Sequence, residues 1–305
     1  MAKRKLLAVF LSICMTVSFA GCGSIDGESP KVENVEKPVV WFNRQPSDPE
    51  TGAIDYEAVK FNEKTYYVGT DMYQGADLQG RMIFEYINEH GETLDRNGDG
   101  VIGYVLAIGD TGHNYSIART RGIRSALGTS KVNNGEVVAD PVVLNLGGAA
   151  LVVKDGSANV NGKTYKIREL ASKEMISKDG ATWDAGAAKD AILEWVAEFG
   201  DSIDLIVSNN DGMAMAMFDT WGYKNHIPTF GYDANGDCVA AMLDGFCGSI
   251  SQRADVQAYL TLRVIRNGLD NVDVNTGIGI PDDAGNVLEE TDFYYGESER
   301  AFYAL

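Results

Sequence analysis

Positive charge is scarce in this chain. Lys and Arg number 26 against 44 Asp and Glu, a formal net charge of −18 over 305 residues. That balance excludes non-specific nucleic-acid binding, which needs cations to displace the counterions of phosphate. It also excludes docking on anionic lipid through a basic face. With no helix-turn-helix pattern either, a ligand-responsive repressor is excluded as well. Histidine is equally scarce: only His90, His113 and His226. There is no G-x-S-x-G and no H-E-x-x-H, and no nucleophile–base pair can be assembled, so the chain is not read as an enzyme. Beyond residue 21 no apolar run approaches the roughly 20 residues of a membrane-spanning helix.

The first 21 residues stand apart. Lys3, Arg4 and Lys5 form a basic n-region, Leu6 to Phe19 an apolar run, and Phe19-Ala20-Gly21-Cys22 the ending of a secretory signal. The small-small-Cys ending resembles the bacterial lipobox, in which the cysteine (here Cys22) is acylated and becomes the first mature residue. The plainer alternative is an ordinary signal cleaved near Ala20. Export is expected, with the membrane reached through the lipid anchor only. Removal of the three basic residues takes the net charge from −18 to −21. Residues 22–37 are rich in Gly, Ser, Pro and Glu and read as a tether. Cysteine is scarce as well, and after Cys14 and Cys22 only Cys238 and Cys247 remain. They bracket an expected short helix whose ends lie about 13 Å apart, beyond the roughly 7 Å a disulfide spans. Both are therefore read as buried structural cysteines.

From Pro38 strands and helices alternate. Strands are expected at 39–42, 66–68, 101–108, 142–146, 203–208, 229–231 and 248–250. Helices are expected at about 74–90, 116–127, 187–199, 212–221, 236–243 and 254–267. Residues 147–170 break the rhythm: Val152-Val153, a Lys-Asp-Gly turn, and Asn161-Gly162 before Lys163 to Ile167 read as a β-hairpin excursion. The expected class is α/β with two doubly wound parallel-sheet lobes. In such folds ligands bind beyond the carboxyl ends of strands.

Asp95-Arg96-Asn97-Gly98-Asp99-Gly100 fits the first half of a calcium loop, D-x-[DN]-x-[DN]-G. Asp95, Asn97 and Asp99 would supply hard oxygens, Gly100 the sharp turn, and Val101 its backbone carbonyl. Position 9 is Gly103, where water would serve, and position 12 is Leu106 rather than the bidentate Glu. Strand-forming residues follow, so this is not an EF-hand. The alternative is an acidic Asn-Gly turn between helix and strand.

Seven motifs in one order now carry a resemblance. They are Trp41-Phe42-Asn43-Arg44-Gln45-Pro46-Ser47, Tyr66-Tyr67-Val68-Gly69-Thr70-Asp71, the calcium loop, Gly112-His113 with Arg119, Trp183-Asp184, Asn209-Asn210-Asp211-Gly212-Met213-Ala214-Met215, and Phe230-Gly231-Tyr232-Asp233-Ala234. From about Val39 onward the sequence resembles the periplasmic galactose/glucose-binding protein family, the substrate-binding subunits of sugar ABC transporters. The resemblance implies a periplasmic-binding-protein fold. Residues 38–110 plus part of the C-terminal tail, with a strand near Phe293-Tyr294-Tyr295, would form the N-terminal lobe. Residues 111–270 would form the C-terminal lobe, and 271–305 a crossover and tail. It implies Asp204 as the distal calcium ligand, and His113, Arg119, Asn210 and Asp233 as hydroxyl-binding residues with Trp183 stacking on the sugar. Singly, each has a plainer role: loop histidine, solvated helix residue, helix cap, lid aromatic. Trp41, Trp195 and Trp221 are assigned to packing.

Three departures from the family accompany these matches. Tyr115 stands where the family usually carries an acid, and Gln252 where it carries Asn. The family's first βα units, with a second stacking aromatic, an Asp and an Asn, have no counterpart read before Val39, so an incomplete N-terminal lobe is expected. Two functions follow as expectations. One is a lipid-anchored, monomeric hexose-binding protein with structural Ca2+, delivering sugar to an ABC permease and also able to serve a chemoreceptor. The other is a truncated relative that keeps the calcium loop and binds sugar weakly or not at all.

Overall fold

A computed structural model describes residues 36–48, 53–129, 131–133, 136–138, 142–146, 149–153, 156–278 and 302–304. The signal segment, Cys22, most of the tether and the expected strand at 293–295 lie outside the described residues.

Two sheets organise the described chain. The larger has six strands in the order β12-β11-β10-β3-β9-β8. These are β3 (Val101–Ile108), β8 (Ser157–Val160), β9 (Lys163–Glu174), β10 (Leu205–Ser208), β11 (Thr229–Phe230) and β12 (Phe246–Gly248). All neighbours run parallel except β8, which is antiparallel to β9. Side chains alternate across this sheet with the period of two that a strand imposes. Ile102, Tyr104 and Leu106 of β3, with Leu205 and Val207 of β10, enter one core. Val105, Ala107 and Ile206 enter the other. A parallel sheet apolar on both faces must be covered on both. Helix α2 (Met72–Leu94) contributes Ile83, Phe84 and Ile87 to the first core, and helix α3 (Asn114–Leu127) contributes Ile123 and Leu127. Helix α4 (Ala185–Phe199) covers the opposite face with Ala188, Ile192 and Trp195, beside Met213 and Met217 of α5 (Asp211–Met217).

The smaller sheet has the order β1-β2-β13. β1 (Val39–Asn43) and β2 (Thr65–Thr70) pair in parallel, and β13 (Phe302–Ala304) joins β2 antiparallel. Between β1 and β2 lies the single-turn helix α1 (Tyr56–Val59). The C-terminal helix α8 (Ala254–Asp270) packs Val256, Leu260 and Val264 against Val68. Two short helices, α6 (Tyr223–Asn225) and α7 (Gly236–Ala241), precede and follow β11 along the chain.

Several expectations need correction. The 72–94 helix and the 101–108 strand, allotted by sequence to the first lobe, belong to the larger sheet, where β3 lies between β9 and β10. The excursion is not confined to 147–170. Residues 142–146 (β6) pair with 149–153 (β7), and 131–133 (β4) with 136–138 (β5), as separate two-stranded hairpins. Residues 163–174 are instead a main strand that runs parallel to all eight residues of β3. The Asn161-Gly162 turn is where expected, with φ of 51° and 83°, the left-handed pair of a tight hairpin. β12 begins two residues before the expected 248–250. Trp195 is buried, Trp221 packs on the second core, and Trp41 Nε1 donates to the Ala58 carbonyl at 3.0 Å. Cys238 and Cys247 are both free; Cys238 is buried as expected, whereas Cys247 is only half-buried.

Candidate functional site

The carboxyl ends of β3, β10 and β11 run directly into 109–113, 209–211 and 231–235, and these segments hold His113, Asn210 and Asp233 of the expected ligand-binding residues. Arg119 is the centre. It projects from α3, is 5% exposed, and donates from Nη1 to the Asn209 carbonyl at 2.7 Å. Its Nη2 lies 3.5 Å from Asp233 Oδ1. The guanidinium sits 3.6 Å over the Tyr232 ring, with Tyr115 and Trp183 each at 5.8 Å. Arginine suits this place because a flat, weakly hydrated cation can stack and donate at once. Its Nε is buried without a hydrogen-bond partner among the described residues.

Asp233 also accepts from Gln252 Nε2. Burial pushes its carboxyl up to about 6, with Arg119 pulling in the other direction. Its φ is 115° and that of Trp183 is 61°. Positive φ in such residues is uncommon and clusters at functional sites. Trp183 donates its backbone N–H to the Gly109 carbonyl at 3.2 Å. Its ring lies so close to Gly109 that a Cβ there would fall 2.3 Å from ring atoms, so only glycine fits.

His113 meets Trp183 edge to face, ring centroids 5.2 Å apart. Its Nδ1 accepts from the Tyr115 N–H at 3.1 Å and caps α3. Burial, and then the positive charges of Arg44 and Arg119, push the imidazole down to about 4. It is therefore neutral at pH 7, with one ring nitrogen already committed. Asn210 uses its side-chain oxygen to cap α5 through the Met213 N–H at 2.9 Å. The plainer role for Asn210 is thus present, and it consumes the oxygen but not the amide N–H groups.

Two expected residues are otherwise engaged. Tyr115 is 3% exposed, and its hydroxyl donates to the Thr70 carbonyl at 2.9 Å and lies 2.6 Å from the Tyr67 hydroxyl. Gln252 reaches Asp233 because it is one methylene longer than Asn. Sequence reasoning missed Tyr232, the platform beneath Arg119, and Asn209. Asn209 Oδ1 accepts from Gly109 N–H, Ser116 Oγ and Thr120 Oγ1 at 3.2, 2.8 and 3.2 Å. Both stand in motifs already quoted, directly after strands, and that position was the available signal.

The 95–101 loop lies at the other end of the sheet, between α2 and the start of β3. Gly98 and Gly100 have φ of 75° and 81°. Asp95 Oδ2 accepts from Gly100 N–H at 3.1 Å, Asn97 Oδ1 from Asp99 N–H at 3.0 Å, and Asp99 Oδ1 from Val101 N–H at 2.8 Å. Asp204 is buried and accepts from Gly103 and Arg96 N–H at 2.8 and 3.2 Å. Burial, reinforced by the charge of Asp95, pushes Asp204 up to about 7. Lys163 Nζ stands 3.6 Å from Asp95 Oδ2. Among the described residues no three His, Cys, Asp or Glu side chains are grouped to hold a metal. Asp95 Oδ1 is nevertheless buried with no hydrogen-bond partner, and the donors are hard oxygens, so the residues fit a cation of the calcium type.

A doubly wound sheet whose carboxyl ends gather an arginine, a carboxylate, a neutral histidine and a tryptophan defines a ligand-binding protein of the α/β class. A family model described as periplasmic binding protein domain matches residues 36–271, and the chain belongs to that family. It is a family of extracytoplasmic binding proteins, not enzymes. The chain is 29% identical over 221 residues to the D-galactose/methyl-galactoside binding periplasmic protein MglB of Haemophilus influenzae. That match covers 70% of this chain and 50% of the relative. A xylitol-binding protein of Mycolicibacterium smegmatis is 26% identical over 127 residues, 40% of this chain and 36% of the relative. The chain thus spans half or less of the curated relatives it matches. Among solved structures, an ABC transporter periplasmic solute binding protein from Actinobacillus succinogenes with bound D-allose superposes with TM-score 0.52 at 14% identity, covering 77% of this chain and 64% of that one. A solute binding protein from Bacillus halodurans with bound myo-inositol gives 0.51 at 18% identity, covering 77% and 61%. At these identities the structures show the fold alone. Among the described residues no helix is long and apolar enough to cross a membrane.

Proposed function

We propose that the chain binds a neutral hexose of the galactose or glucose type and delivers it to an ABC permease, held at the membrane by acylation of Cys22. A chemoreceptor is proposed as a second partner. The observation that carries this reading is the convergence of Arg119, Asp233, His113 and Trp183 at strand carboxyl ends. A sugar offers hydroxyls that both donate and accept, with apolar C–H faces. Arg119 donates, Asp233 accepts through the oxygen not bonded to Gln252, neutral His113 donates from Nε2 because its Nδ1 already accepts from Tyr115 N–H, and Trp183 supplies a flat apolar face. The Arg119–Asp233 pair cancels its own charge, which suits a neutral ligand better than an anionic one. The protein is proposed to act as a monomer, with closure over the ligand as the signal the permease reads.

Calcium is proposed as a structural ion held by Asp95, Asn97, Asp99, the Val101 carbonyl and Asp204. When bound, it would supply a positive charge that neutralises the buried carboxylates. The Asp95 oxygen left without a partner supports this.

A second reading is a relative that keeps the loop but binds sugar weakly. It draws on the engagement of Tyr115 and Gln252 with other protein groups. Calorimetry with galactose, glucose and ribose, read alongside Trp fluorescence, separates the two. Saturable heat with galactose or glucose supports the first; no heat at millimolar sugar supports the second.

A further inference from the structure

Asp211 is fully buried at the start of α5, one residue beyond the expected ligand Asn210. Its Oδ2 accepts from the Asn235 N–H at 2.7 Å. Its Oδ1 accepts from the Ser249 hydroxyl at 2.7 Å, and that hydroxyl oxygen in turn accepts from the Ala234 N–H at 2.9 Å. The Asp211 N–H donates to the Tyr232 carbonyl at 2.8 Å. Asp211 therefore grips the 232–235 loop on both sides of Asp233, with its backbone N–H on residue 232 and its carboxylate on residues 234 and 235. Within that loop Asp233 has φ 115° and Ala234 φ 52°. Such backbone persists only where its surroundings over-determine it. Asp233 makes one further backbone contact, donating its N–H to the Ile250 carbonyl at 2.8 Å. Gly231 completes the arrangement, since a Cβ there would lie 2.1 Å from Asp211 Oδ1. The carboxylate can approach only because residue 231 has no side chain.

We propose that Asp211, with Ser249 as its relay, is a positioning residue that holds Asp233 in its strained conformation and so aims the Asp233 carboxylate at Arg119 and at the ligand. The ligand half of this proposal rests on the sugar-binding reading; the loop half does not. A charged acceptor suits the task because hydrogen bonds to an ionised group are the stronger ones. The same group, remote from ligand, would account for a strained loop kept in one conformation before sugar arrives.

The test uses the full chain with two readouts. The first is hydrogen exchange at the Ala234 and Asn235 amides without ligand, in the wild type, Ser249→Ala and Asp211→Asn. The second is galactose affinity of wild type, Ser249→Ala, Asp233→Asn and Ser249→Ala/Asp233→Asn, by calorimetry. Exchange about tenfold faster in the variants is expected. Affinity should fall about tenfold in Ser249→Ala, the effect of one lost hydrogen bond, but less than about twofold when Asp233 is already Asn, the mark of two residues acting as one. Unchanged exchange overturns the proposal. An equal loss of affinity in both backgrounds also overturns it, because a merely structural role is additive. If Asp211→Asn does not fold, Ser249→Ala carries the test alone. Accelerated exchange in a chain that takes up no sugar supports the positioning role and counts against the sugar-binding reading instead.

Discussion

At the scale of single residues, Arg119 holds the site together. Replacing it with Met leaves Asp233 in a mostly buried place without its cation. Galactose affinity should fall about a hundredfold and unfolding stability by about 3 kcal/mol, as for one partner removed from a buried pair. Calorimetry and urea titration read the two effects separately. His113 makes a prediction of opposite sign to the carboxylates around it. Its folded value of about 4 lies below the ordinary 6.5, so the unfolded chain takes up the proton first as pH falls. Stability from His113 is complete above pH 6.5 and is lost on descent toward pH 4. Asp233, raised from 3.8 to about 6, does the reverse: its contribution is complete below pH 3.8 and is lost as pH rises toward 6. The stability difference between wild type and His113→Gln should therefore slope with pH only between about 6.5 and 4. A parallel offset across that range would show that the imidazole stays equally protonated in both states. His113, Asn210 and Asp233 were legible because each lies in a segment that directly follows a strand within a quoted motif, and Arg119 and Trp183 were legible through their motifs alone. Asn209, Asp211 and Tyr232 were not, although they sit in those motifs. Their work is to hold Arg119 and Asp233 from beneath, and hydrogen bonds between segments far apart in sequence leave no local spacing to read.

At the scale of elements, β9 shows where sequence reading goes astray. Its start carries the Asn-Gly hairpin signal and polar alternation, which point to an excursion. Yet its buried residues Tyr165, Ile167 and Glu169 recur with period two along the strand, and β3 pairs with it throughout. Glu169 explains how a charged residue can occupy an inner strand. It is 3% exposed, and Arg124 of α3 donates to its two oxygens from Nε and Nη2 at 2.8 and 2.6 Å. Tyr104 of β3 adds its hydroxyl at 2.8 Å. One fork of hydrogen bonds thus ties β9, β3 and α3 together. Arg124→Ala should cost about 3 kcal/mol because it strands a buried carboxylate, and adding Glu169→Gln should restore part of that. Chemical denaturation of the two variants checks it; equal stability of Arg124→Ala and wild type would show that the pair contributes nothing. In the turn itself, Gly162 has open space around its Cα but a φ of 83°. Gly162→Ala should therefore destabilise by about 1 kcal/mol through backbone conformation alone.

At the scale of the whole molecule, the larger sheet separates two kinds of chemistry. The sugar-binding candidates lie at the carboxyl ends of β3, β10 and β11, whereas the 95–101 loop and Asp204 lie at the amino ends of β3 and β10. The alternation of strands and helices was legible, as was the family. The assignment of α2 and β3 to the larger sheet was not, because which sheet a strand joins depends on pairings across more than 60 residues. With the two sites at opposite ends of the strands, metal and sugar should act independently on stability and affinity. Calcium should raise the melting temperature of the chain, since an ion bound only by the folded state stabilises it by mass action. Asp204 in the metal-free chain is pushed up to about 7. Its carboxylate must shed a proton to bind, so calcium affinity should weaken as pH falls below 7. Asp204→Ala should abolish the calcium-dependent rise in melting temperature and change galactose affinity by less than about twofold, as expected of distant sites without shared partners. A melting temperature indifferent to calcium and to chelator alike would reduce the loop to an acidic turn. A matching loss of sugar affinity in Asp204→Ala would show instead that the strands transmit strain from one end of the sheet to the other.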